Sequence, residues 1–83
     1  MADKKIKVER VQTGVRMEKG MLKVLKAMAE YHEISLGNLL EGIVLHAFEG
    51  RSPFDSESIK RIDALKQIYE MDYDAGASHH FIE

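Results

Sequence analysis

"VQTGVRM", residues 11–17, alternates with a period of two. Val11, Thr13, Val15 and Met17 fall on one side of an extended chain, and Gln12, Gly14 and Arg16 fall on the other. The first set predicts a core-facing side, so the fold turns on what the second set meets. After Met17 the period changes. Met21, Val24, Leu25, Met28 and Ala29 follow the i, i+3, i+4, i+7, i+8 rule, which predicts an amphipathic helix over about 18–32, weakened in its first turn by Gly20. Ser35 is a good N-cap for a second helix whose apolar side is Leu36, Leu40, Ile43, Val44, Ala47 and Phe48, ending near Gly50 ahead of Pro53. "FDSESIKRIDALKQIYEMDYD", residues 54–74, predicts a third helix capped by Asp55 or Ser56, with a stripe of Ile59, Ile62, Leu65, Tyr69 and Tyr73.

Upstream of the quoted stretch, Ile6 and Val8 are out of phase with Val11–Met17, and the slip falls at Glu9–Arg10. One strand does not keep a single face buried through such a slip without a bulge. Residues 1–9 therefore read as a mobile basic arm and residues 10–50 as a strand–helix–helix domain. Residues 51–83 read as a C-terminal helix and acidic tail.

The charge distribution agrees. The net charge is −2, but residues 1–51 hold nine Lys/Arg against seven Asp/Glu, and residues 52–83 hold three against seven. The positive charge gathers in Lys4, Lys5, Lys7 and Arg10. At 83 residues the chain is a single small domain, of the size that often needs a partner subunit. With no cysteine, disulfides and thiolate metal sites are excluded. The start lacks an apolar run of the signal-peptide kind. The longest apolar stretch, "LLEGIVLHAF", is roughly half of what a membrane span requires. A soluble, cytoplasmic protein with no membrane partner is expected.

One short strand alone leaves its backbone groups without sheet partners. Antiparallel pairing with the same strand of a second copy, about a two-fold axis, supplies them and predicts a homodimer. The Gln12–Gly14–Arg16 face is then left outward on both strands. A two-stranded ribbon with such side chains fits the major groove of double-stranded DNA, where Arg bonds guanine and Gln bonds adenine.

"VQTGVRMEKGMLKVLKAMAEYHEISLGNLLEGIVLHAF", about half the chain, resembles a ribbon-helix-helix domain of the Arc/MetJ/CopG type. The matching features are the alternating strand ending in an Arg–apolar pair, Leu25 and Ala29 in core spacing, the short turn, and Ser35 opening the second helix. The resemblance implies a mainly α fold with one short strand, an intertwined homodimer with a two-stranded antiparallel ribbon, to which this chain adds a C-terminal helix. It implies base reading by Gln12, Gly14 and Arg16, and a phosphate clamp at Ser35 with the backbone of Leu36 and Gly37, the anion site of a helix N-terminus. Gly14 departs from the pattern by offering no side chain at the middle reading position. Lys5, Lys7 and Arg10 are expected on the DNA backbone.

The implied function is a sequence-specific transcriptional regulator, a repressor. The alternatives are an antitoxin whose residues 54–83 bind a toxin, and a protein-interaction dimer without DNA binding. The chain reads as no enzyme: it has no phosphate loop, nucleophile elbow or metalloprotease motif, and Ser78 beside His79 has no third group. Asp72, Asp74, His79 and His80 are ligand types, but adjacent His residues on an aperiodic tail do not converge, so neither a metal nor a cofactor is expected.

Overall fold

The computed structural model describes residues 5–83. Three α-helices follow one another: α1 Lys19–His32, α2 Leu36–Phe48 and α3 Ser56–Ile68, with a single 3-10 turn at Ala75–Ala77. Helices α2 and α3 both pack on α1 and not on each other. The core follows the predicted stripe of α1. Val24, Met28 and Ala29 are buried against Leu39 of α2, with Leu25, Ile43, Phe54, Ile62, Leu65 and Met71 packed around them. Lys4, expected in the basic arm, lies outside the described residues.

The expected ribbon-helix-helix architecture is corrected by this arrangement. Residues 5–18 carry no secondary structure, and among the described residues there is no strand and no sheet. A strand exists only through hydrogen bonds to a neighbouring extended segment, and among the described residues none pairs with 10–17 to supply them. The predicted inward side is not buried either: Val11 and Val15 are 79% and 75% exposed, and only Met17 is half-buried. The radius of gyration, 14.4 Å, exceeds the value of about 12 Å that a closed globule of this length would have.

The helix ends explain why the helices fall where they do. Glu18 caps α1, its carboxylate accepting the N–H groups of Gly20 and Met21 at 2.9 Å each. Ser35 caps α2 through Asn38 N–H at 3.0 Å, and Asp55 caps α3 through Ser58 N–H at 2.8 Å. Gly50, at φ +69°, turns the chain after α2, with the N–H of Arg51 returning to the carbonyl of His46 at 2.9 Å. Helix α1 closes in the same way without a glycine. Glu33 takes φ 57°, and Ile34 N–H reaches the carbonyl of Ala29. A left-handed glutamate costs about 1 kcal/mol in crowding of its Cβ. Glu33→Gly is therefore expected to raise stability by about 0.5–1 kcal/mol, read as a higher urea midpoint; a lower midpoint would contradict the assignment.

Helix α3 is pinned to α1 from two sides. Ile62 and Leu65 meet the core, and the Arg61 guanidinium lies 3.6 Å from the centre of the Tyr31 ring while donating to the Tyr31 hydroxyl at 2.8 Å. The stripe predicted to continue through Tyr69 and Tyr73 stops earlier, since Tyr69 is the C-cap and Tyr73 lies beyond it. Glu70, at φ 54°, turns the backbone there and sends the tail back toward the start of α1.

Hydrogen bonds hold three carboxyls below the usual carboxylate range: Glu18 through Gly20 and Met21 N–H, Asp55 through Ser58 N–H, and Glu41 through the Arg10 guanidinium. Each releases its proton more readily folded than unfolded, so each favours the native state wherever it is ionised. Stability is expected to hold from neutrality to about pH 5 and to fall as acid carries the chain through about pH 4 toward the lowered folded values. Urea titrations across that range check the sign, and a midpoint that rises on acidification would contradict it.

Candidate nucleic-acid interface

The segment before α1 is irregular but anchored. Arg10 forks onto Glu41 of α2, Nε to Oε2 at 2.9 Å and Nη2 to Oε1 at 2.8 Å. This bidentate contact lies at the Glu9–Arg10 phase slip and holds the segment against α2. On one side of it Ile6 and Val8 line a recess of about 520 Å³ with Leu40, Val44 and Leu45. On the other, Val11, Val15 and Met17 line an open cleft of about 1010 Å³ with Leu22, Leu36 and Leu40. The change of phase read in the sequence is thus a change of which cavity the apolar side chains line.

The cleft brings together residues predicted for two different roles. Gln12 and Gly14, expected to face bases, share its wall with Ser35, Leu36 and Gly37, expected to hold a phosphate. The Ser35 hydroxyl is engaged by Asn38 N–H, which leaves the N–H groups of Leu36 and Gly37 as first-turn donors without intrahelical acceptors. No acidic residue stands in the first turn of α2, so the positive end of its dipole is not neutralised there. A Cβ built on Gly14 meets nothing within 4 Å. Gly14→Asn is accordingly expected to fold with its stability unchanged within about 0.5 kcal/mol, which thermal denaturation checks.

The other predicted residues lie apart from the cleft or are engaged. Lys5 and Lys7 are exposed on the segment. Arg10 gives its fork to Glu41, so its expected place on a DNA phosphate is taken by a carboxylate of its own chain. Arg16 is exposed and paired with Glu83, Nη2 to Oε1 at 2.8 Å. The sequence reading missed the roles of Glu41 and Glu83, and it placed Tyr73 on the α3 stripe rather than as the donor to Glu18. Glu41 was legible only as the charge interrupting an apolar run. Glu83, on an aperiodic tail, carries no local signal. Among the described residues His79, His80, Asp72 and Asp74 form no group able to hold a metal ion, and no helix is long and apolar enough to cross a membrane. Comparison with protein-family models, with curated proteins and with solved structures finds no match to this chain.

Proposed function

We propose that this protein binds double-stranded DNA as a pair of identical chains and regulates transcription, acting as a repressor. The observation that carries the reading is the shared cleft, lined by Gln12 and Gly14 together with Leu36 and Gly37, whose N–H groups the Ser35 cap leaves open. A helix N-terminus is a ready anion site, and a phosphate held there brings the neighbouring extended segment to the edge of a groove. Gln12 and Arg16 are then the side chains suited to adenine and guanine edges, and Lys5 and Lys7 those suited to the backbone.

Pairing is supported by apolar surface. Ile6, Val8, Val11, Val15, Val44, Leu45 and Phe48 are all exposed, Phe48 at 82%. All of these but Phe48 line the two cavities, which share Leu40, so that surface is continuous. Contiguous exposed apolar surface of this kind marks an interaction site. A second copy covers it with the same surface. The antitoxin alternative draws less support, because Ile62 and Leu65 of α3 are already packed on α1 rather than held out for a toxin.

Sequencing the DNA that co-purifies with the protein, followed by binding to the recovered site, tests the reading. Arg16→Ala is expected to cost about 1–3 kcal/mol per half-site and to relax preference at one base, whereas Lys5→Ala weakens all sequences alike and flattens the salt slope. Absent or salt-insensitive binding would instead favour a protein-interaction dimer. A folded monomer that sediments unchanged on dilution, with a melting temperature independent of concentration, would sink the pairing.

A further inference from the structure

The last fifteen residues stay at the end of the molecule where α3 leaves them, beside the start of α1. Tyr69 closes α3 beside the first turn of α1, where its carbonyl lies 3.7 Å from a Cβ built on Gly20 and the Lys23 ammonium sits 5.6 Å from its ring centre. Asp74 then caps the short turn Ala75–Ala77 through Gly76 N–H at 2.9 Å. Tyr73 donates its hydroxyl to Glu18, the carboxylate that already caps α1. Phe81 packs edge-on against the Tyr73 ring, centroids 5.1 Å apart at 79°. Glu83 ends the path on Arg16. Residues 69–83 thus form a strap across the start of α1, held at Tyr73 and finishing on the guanidinium to which the proposed function gives a base contact.

The chemistry of the strap is that of a phosphate mimic. It carries Glu70, Asp72, Asp74 and Glu83 and no Lys or Arg, while the chain it crosses offers Arg16, Lys19 and Lys23. A carboxylate on an arginine fork occupies the geometry a phosphate or a guanine edge would use. The Arg16–Glu83 pair is 87% and 74% exposed, so by itself it is weak and open to exchange. Tethering raises its effective concentration, because Tyr73 and Phe81 keep Glu83 near Arg16 whenever DNA is absent.

Resting on the reading of Arg16 as a DNA contact, we infer that the acidic strap 69–83 is an autoinhibitory segment that competes with DNA for Arg16 and is displaced when DNA binds. Affinity for DNA is then reduced by the fraction of molecules in which the strap is closed.

The test uses fluorescence anisotropy with a labelled mixed-sequence duplex of about 25 base pairs at about 50 mM salt, where backbone contacts alone give measurable binding. Full-length protein is compared with Glu83→Gln, Tyr73→Phe, Arg16→Ala and the double variant Arg16→Ala/Glu83→Gln. Glu57→Gln, on the first turn of α3, makes the same change of charge off the strap. Glu83→Gln and Tyr73→Phe are each expected to tighten binding about two- to five-fold, the range open to an exposed ion pair, and Glu57→Gln to do less. The gain from Glu83→Gln should vanish when Arg16 is already alanine. If Glu83→Gln and Tyr73→Phe change nothing, or Glu57→Gln gives an equal gain, while Arg16→Ala still weakens binding, the strap is no competitor and the DNA reading stands. If neither the full chain nor any variant binds the duplex, the DNA reading fails and the strap's role falls with it.

Discussion

Met28→Ala is expected to leave the chain largely unfolded at 25 °C. Met28 is the most enclosed side chain in the core, 1% exposed, between Val24 and Ala29 on its own helix and Leu39 across from it. Removing such a buried methionine costs about 2–5 kcal/mol in lost transfer energy and cavity. A core of this size supplies little more than about 3–5 kcal/mol in total, so the loss is comparable with the whole stability of the fold. Far-UV circular dichroism and a urea titration read the outcome directly. A variant with the wild-type midpoint would show that the centre of the core lies elsewhere.

The second large effect lies on α3. Replacing Ile62 and Leu65 together by alanine strips the α3 side chains that pack on the core, leaving Phe54, the Arg61–Tyr31 stack and the strap to hold the helix. Burying each such side chain is worth about 1.5–3 kcal/mol at full burial, and both are partly buried, so a combined loss of about 2–4 kcal/mol is expected. Amide exchange should then show α3 opening with the rest of the molecule weakened, because α1 also loses a face of its packing. If the double variant melts as the parent does and α3 exchanges at random-coil rates in both, the helix is not part of the fold, and the reading in which residues 54–83 serve a toxin partner gains the ground that docking now denies it.

The strap makes the stability and binding predictions separable. Glu18 is both the cap of α1 and the acceptor for Tyr73, so acid should loosen the strap and the helix end together, whereas Glu83→Gln touches only the far end. A Glu83→Gln chain that changes DNA affinity without changing the melting curve therefore reports on the strap rather than on folding.

The three helices were legible in the sequence because their signals are local. The spacing of Val24, Leu25, Met28 and Ala29 fixes which side of α1 is buried whatever it meets, and Ser35 and Asp55 satisfy N–H groups only three residues away. Alternation in "VQTGVRM" is a weaker kind of evidence. It describes an extended chain, but a strand also needs a neighbour, and whether one exists is not written in the stretch itself; the tertiary structure leaves Val11 and Val15 uncovered there. The same holds for the contacts that shape the candidate interface. Arg10 meets Glu41 across 31 positions and Tyr73 meets Glu18 across 55, and no periodicity links residues so far apart. Such pairs depend on α2 and α3 docking on α1 and on the chain turning back, so the fates of Arg10 and Arg16, and the return of an acidic tail to a basic segment, belong to the tertiary structure.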